Sequence, residues 1–189
     1  MFKILCSSFA LFQRARDRTM EISNLHPERE VTSMSGFQQY PRITPFLWFD
    51  SNAEEAVNFY LSVFKNSRRL DEVRNLDDRR APKGSILTIA FELDGQMFTA
   101  LNGGPIFKFT EAVSFVVRCD TQKEVDEYWS KLSDGGSDFQ CGWLKDKFGL
   151  SWQIVPAQLP DLIKHPKAMQ AMLKMKKLDI AELERAANS

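Results

Sequence analysis

The sequence predicts an α+β domain in which one supersecondary unit is used twice, and three observations carry that prediction. A strand-like run, a helix start and an amphipathic helix follow one another within residues 43–64, ITPFLWFDSNAEEAVNFYLSVF. The same order returns over residues 112–132, AVSFVVRCDTQKEVDEYWSKL. Each helix is then followed by short β-rich runs separated by turn residues, Asp94-Gly95 in the first copy and residues 146–149 (DKFG) in the second. A repeated unit whose helix must be covered by its own sheet points to an internally duplicated domain.

The first module covers residues 43–104. Residues 43–49 are almost wholly apolar, as a strand buried on both faces requires. Asp50, Ser51 and Asn52 supply side-chain oxygens that can cap a helix, and Glu54 and Glu55 place negative charge in its first turn, where the macrodipole favours it. Ala53, Ala56, Val57, Tyr60 and Phe64 recur at spacings of three and four, so one helix face is apolar. Residues 68–74 read as a strand with outward charges, and 77–84, with Pro82, as a loop. Residues 85–93 and 96–102 are strands joined by the Asp94-Gly95 hairpin turn, and Gly103-Gly104-Pro105 closes the module.

The second module covers residues 111–156. Residues 112–119 are its first strand. Asp120 and Thr121 cap the helix, with Glu124 three residues past Thr121 in a capping box. Val125, Tyr128, Trp129 and Leu132 form the buried stripe, and Gly135-Gly136 ends the helix. Residues 139–145 and 150–155 are strands, and Pro156 stops the sheet.

Residues 41–160 are thus expected to form the domain, flanked by two extensions. Residues 1–40 read as a disordered N-terminal tail, because a short apolar run broken by Lys3 gives way to polar, aperiodic sequence. Arg14, Arg16 and Arg18 suit an organellar presequence, whereas Asp17, Glu21, Glu28 and Glu30 do not. Residues 161–189 read as two short amphipathic helices, with Met169, Met172 and Leu173 on one side and a capping box of Asp179 and Glu182 before Ile180 and Leu183. They either pack on the domain's flank or contact a second copy.

The 25 basic and 25 acidic residues cancel, which argues against a nucleic-acid partner. No stretch reaches membrane-spanning length, so no membrane association is expected. Cys6, Cys119 and Cys141 lack the paired spacing of metal or disulfide frameworks and fit a reducing, cytoplasmic setting.

The segments FDSNAEEAVNFYLSVF, ALNGGPIFKFTEAVSF and CGWLKDKFGLSWQIVP together resemble the PhnB-like branch of the vicinal-oxygen-chelate superfamily, over about residues 41–187. That resemblance implies two tandem βαβββ modules of the glyoxalase/bleomycin-resistance fold, a small-molecule cavity between them and a homodimer. Members of this branch often carry the label 3-demethylubiquinone-9 3-methyltransferase. The chain has no glycine-rich strand-to-helix turn of the kind that cradles a nucleotide-like cofactor, so its residues give that label no independent support.

Metal-dependent members of the superfamily hold a divalent ion with histidines and glutamates. The resemblance places a ligand six residues before the Asp that starts each helix, which gives Thr44 from Asp50 and Ser114 from Asp120. The ligand of the last strand follows a tryptophan-like residue, which gives Gln153 after Trp152. The remaining one falls on Thr99, with Asn102 as the nearby polar alternative. Hydroxyls and amides are weak neutral donors that cannot offset the cost of stripping water from a divalent cation, so neither a metal nor another cofactor is expected. His165, beside Pro166, has no acid or thiol at ligand spacing and reads as a surface residue.

Alternation puts Thr44, Phe46 and Trp48 on one sheet face and Ser114, Val116 and Arg118 on the equivalent face of the second module, joined by Gln153. Trp48 either faces a ligand or packs in the core. Arg118 either clamps a carboxylate or phosphate or forms an ion pair at the strand end. Trp143 and Cys141 either rim the pocket or are packed, and Asn102 either binds ligand or holds the glycine turn. No nucleophile with an adjacent base appears, and Glu92 and Glu111 lie beside loops, so catalytic residues are unassigned. The leading expectation is small-molecule binding without metal. The alternatives are a lyase-like, dioxygenase-like or methyltransferase enzyme, and a non-catalytic protein acting through its dimer.

Overall fold

A computed structural model describes residues 40–189. The expectations for the tail and its targeting role fall on residues outside that range, apart from Tyr40. Strand β1 spans Phe46–Phe49, helix α1 Ala53–Val63, β2 Ser67–Arg74, β3 Ile86–Leu93 and β4 Gln96–Asn102. The second module follows with β5 Ser114–Cys119, α2 Gln122–Ser133, β6 Ser137–Asp138, β7 Trp143–Lys145 and β8 Ser151–Pro156. Helices α3 Leu159–Leu162, α4 Pro166–Met172 and α5 Ile180–Ala187 complete the chain. Among the described residues no helix is long and apolar enough to cross a membrane.

The two sheets share one topology. The strand orders are β1-β4-β3-β2 and β5-β8-β7-β6. In each, the first strand runs parallel to the last and the remaining pairs are antiparallel. The predicted turn at Asp94-Gly95 forms, with φ of 47° and 84°. Positive φ at both central residues is what a two-residue hairpin loop demands. The capping box at the start of α2 also forms: Glu124 N–H donates to Thr121 Oγ1 at 3.2 Å, and Asp120 N–H to the Glu124 carboxylate at 2.6 Å. At α5, Glu182 N–H donates to Asp179 Oδ1 at 2.8 Å.

The predicted strand over residues 139–145 is interrupted. Only Trp143–Lys145 pairs with β8, because Cys141 and Gly142 both take positive φ, 61° and 82°. Their N–H groups donate to Met175 O at 2.8 Å and Lys176 O at 2.7 Å. The C-terminal segment therefore takes the hydrogen bonds that a continuous strand would have used. A side chain at Gly142 would lie 2.7 Å from Ile154 O, so glycine is required there. Gln122 clips the same C-terminal segment to α2, donating to Leu178 O at 3.1 Å and accepting from Ile180 N–H at 2.9 Å. Leu159, Leu178 and Leu183 form a small core there. The C-terminal helices thus pack on the flank of the second module.

The main core decides how the modules meet. Ala53, Ala56, Val57, Tyr60 and Val63 of α1 are buried, as are Val125, Trp129 and Leu132 of α2. They join the helix-facing residues of both sheets, including Phe91, Phe98, Leu144, Trp152 and Ile154, in one hydrophobic cluster. Tyr60 packs against Phe91 of its own module and Trp152 of the other, at ring centroid distances of 6.3 and 5.6 Å. Phe98 and Phe115 meet edge to face across the modules at 5.1 Å. The helix-bearing faces are therefore turned toward each other and filled with side chains.

One polar group sits inside this core. Asp146, 2% exposed, accepts from Tyr60 Oη at 2.8 Å, Trp152 Nε1 at 2.8 Å, Phe148 N–H at 2.8 Å and Leu150 N–H at 3.0 Å. Burial pushes its carboxyl above the ordinary aspartate value, and the four donors partly offset that. Burial, with Asp146 beside it, also holds the Tyr60 hydroxyl well above its usual range. Tyr60→Phe is predicted to lower the unfolding free energy by about 1.5–3 kcal/mol, the worth of a hydrogen bond to a charged group. Asp146→Ala should cost more, since each buried donor left without an acceptor adds about 1–3 kcal/mol. Both are checked by urea unfolding. A raised native pKa stabilises the fold below the ordinary carboxylate range and loses that contribution as pH rises through the raised value. Relative to Asp146→Asn, the wild-type protein should therefore lose stability as pH climbs from 3.8 upward.

Candidate functional site

With the helix-bearing faces spent on each other, the other face of each sheet carries neither α1 nor α2 and is helix-free in that sense, while Val155 on the second sheet packs against the C-terminal core. On the first sheet, the register sets Phe46 beside Thr99 and Trp48 beside Leu101. Ala90 and Thr88 continue these two rows on β3. The centre of this face is buried, with Thr88 and Thr99 each 7% exposed, whereas Phe46 at its edge is 53% exposed. On the second sheet, Ser114, Ser151 and Lys145 form one row and Val116, Gln153 and Trp143 the next. Arg118 follows two residues after Val116, on the same face.

Of the eight residues singled out in the sequence, Trp48, Thr99 and Asn102 lie on the first sheet and Ser114, Arg118, Trp143 and Gln153 on the second, with Thr44 just before β1. Thr44 precedes β1 and donates its hydroxyl to Pro41 O at 3.0 Å. Trp48 lies at the end of the first helix-free face, its indole N–H donating to Gly104 O at 2.8 Å. Its ring lies flush on Gly103, where a Cβ would come within 2.2 Å of the indole. Gln153 Nε2 donates to Ser114 Oγ at 2.8 Å, across the parallel β5–β8 pair. Arg118 forms an exposed ion pair with Asp120, the strand-end alternative. Trp143 is half-buried beside Gln153.

Asn102 points the other way, toward α1. Its Oδ1 accepts from Ala53 N–H at 2.9 Å and its Nδ2 donates to Ile86 O at 3.0 Å. Of the candidate caps Asp50, Ser51 and Asn52, the one at the N-cap position, Asn52, makes no side-chain capping bond. A residue from β4 thus satisfies the first turn of α1, which local sequence cannot signal because donor and acceptor lie 49 residues apart.

Two residues of the second helix-free face were missed. Ser151, fully buried, has a hydroxyl with no partner among the described residues. Alternation two residues back from Gln153 would have found it. Lys145 is held by Glu111, whose carboxyl that ammonium keeps below the usual range. Nothing local links these two, since they are 34 residues apart. Burial pushes the Cys119 thiol up to about 12, so it is no nucleophile at neutral pH. The buried acid Asp146 has its oxygens committed to the four donors above.

Residues 41–155 match the family described as 3-demethylubiquinone-9 3-methyltransferase. The chain belongs to that family. It is 35% identical to the putative 3-demethylubiquinone-9 3-methyltransferase PhnB protein of Bacillus cereus, at a TM-score of 0.58, covering 62% of this chain and all of that one. A Pseudomonas aeruginosa protein of solved structure is 20% identical with a TM-score of 0.51, covering 62% of this chain and 98% of its own, a likeness of fold. Fosfomycin resistance protein FosX of Listeria monocytogenes, 14% identical with a TM-score of 0.43, covers 65% of this chain and 97% of its own. No curated protein matches the sequence. The chain is a PhnB-type member of the vicinal-oxygen-chelate superfamily, with its tandem glyoxalase/bleomycin-resistance fold.

The divalent ion of metal-dependent superfamily members does not fit this PhnB-type chain. Thr44, Thr99, Ser114 and Gln153 offer neutral oxygens only, and the Gln153 amide is engaged with Ser114. Among the described residues no three histidines, cysteines or acids come together. Asn102→Ala is predicted to destabilise the protein by about 0.5–2 kcal/mol through loss of the α1 cap, while Asn52→Ala leaves stability nearly unchanged. Urea denaturation of the two variants checks this contrast.

Proposed function

We propose that the chain binds a small molecule on its helix-free sheet faces, without a superfamily-type metal centre, as a homodimer. Each site would combine the first sheet of one copy with the second sheet of the other. The observation behind this reading is that one shared core consumes both helix-bearing faces. The neutral polar groups of Thr99, Ser114 and Gln153 are thereby left on faces that no helix of their own module covers. Such a set suits orientation of a ligand by hydrogen bonds beside aromatic and aliphatic walls.

The edge strands support the dimer. β1 and β5 each end their sheets with one side unpaired. Large apolar residues lie exposed on or beside both, Ile43 and Phe46 at the first, Val113 and Val116 at the second. An exposed apolar strand edge is a pairing surface, and joining β1 of one copy to β5 of the other would cover both. The free thiols Cys119 and Cys141 fit a reducing cytoplasm.

Light scattering is expected to give twice the 21.7 kDa chain mass. Metal analysis of chelator-treated protein should find far less than one transition-metal ion per chain. In a thermal-shift screen of aromatic, acidic and methyl-donor compounds, a true ligand at a hundred times its Kd should add about 2.7 kcal/mol. Gln153→Leu and Thr99→Val should each weaken such a hit about fivefold, the worth of one hydrogen bond. A monomer whose hits ignore both substitutions would refute the site, and a stoichiometric metal would refute its metal-free character.

A further inference from the structure

A separate cleft of about 270 Å³ opens where the two modules meet at the end of β1. One wall is the edge-to-face pair of Trp48 and Phe107, with ring centroids 4.9 Å apart. Phe49, Phe109 and Phe148 supply the other apolar surface, Phe49 meeting Phe109 at 5.2 Å and Phe148 at 6.3 Å. The polar lining includes Lys108 and Lys145 against a single exposed carboxylate, Asp50. Lys108 forms no ion pair with a described residue, and Lys145 is tied to Glu111, which does not line the cleft.

We infer that this cleft binds a small aromatic carboxylate, its ring among Trp48, Phe107, Phe109 and Phe148 and its acid group on Lys108. Three features select that class. Aromatic walls favour a planar ring, packed edge-on or offset. Lys108 is the lining ammonium with no ion pair among the described residues, so it can hold an anion that a neutral group cannot replace. The volume is below the roughly 300–1,000 Å³ of sites for drug-sized molecules, which limits the occupant to one ring with a short acidic arm. Glu111 acts as an internal competitor, because the carboxylate that holds Lys145 stands in for the ligand's own. The cleft adds Phe49 from a helix-bearing face and the loops at both module ends to Trp48 and Lys145, which stand at the ends of the two helix-free faces.

The test titrates the full chain with benzoate and with benzamide, its neutral counterpart, and follows the Trp48 indole N–H by NMR, assigned with Trp48→Phe. Benzoate is expected to shift that resonance saturably and to bind about tenfold more tightly than benzamide, as one charge-assisted contact provides. Lys108→Gln should remove most of that preference. Glu111→Gln should tighten benzoate binding by releasing Lys145, a gain that misfolding cannot mimic. Equal binding of benzoate and benzamide would overturn the inference, as would shifts confined to the Gln153 and Thr99 surroundings. So would unaltered affinity in both Lys108→Gln and Glu111→Gln, or the absence of saturable binding. None of these results depends on dimerisation.

Discussion

A carboxylate with almost no exposed surface is tolerable only where donors surround it, and the donors around Asp146 come from both modules. Tyr60 reaches it from α1, while Trp152 and two backbone N–H groups reach it from the β7–β8 turn and β8. An isolated buried charge costs several kcal/mol, and a sheltered one with four donors costs far less, so the pair of modules is constrained to the arrangement that supplies them. That arrangement sets α1 on its own sheet and brings its Tyr60 against Trp152 of the second. The proposed function follows from it, because the core takes one side of each sheet and the neutral polar residues Thr99, Ser114 and Gln153 lie on the other.

The consequence for ligand binding is geometric. Between the helix-bearing faces of a single chain, Tyr60, Phe98, Phe115 and Trp152 already meet ring to ring. Thr99 belongs to one sheet and Ser114 with Gln153 to the other, and the proposed site joins the two sets through a second copy. The chemistry has shifted with the residues. Where histidine and glutamate would hold an ion, threonine, serine and glutamine can only donate and accept hydrogen bonds, and Ser114 and Gln153 already satisfy each other in the absence of a ligand.

Much of the fold was legible because its signals are local. The N-cap bonds at Thr121 and Asp179, the Asp94-Gly95 turn and the apolar stripes of both helices are short-range patterns that formed, with Tyr128 of the second stripe half-buried rather than buried. The failures were all non-local. Residues 139–145 read as one strand until the C-terminal segment takes the N–H groups of Cys141 and Gly142. Asp50, Ser51 and Asn52 all looked able to cap α1, but Asn102 arrives from β4 to accept the Ala53 N–H. In the candidate site, alternation located Ser114, Trp48 and Gln153 on their faces, because period two is fixed by the strand itself. It could not show that the faces diverge, since that depends on which side of each sheet the helices take. Nor could it bring Lys145 to Glu111, or Phe148 to Phe49, across the module boundary.

The central claim is that β1 of one copy meets β5 of another, so that each site is shared. It is tested most directly by cysteine pairing under mild oxidation, with Phe46→Cys on one sample and Val116→Cys on a second. The account predicts a disulfide-linked dimer when the two proteins are mixed, and no closed monomer when both substitutions share one chain. A monomer closed within the doubly substituted chain, or no cross-link in the mixture, would contradict it.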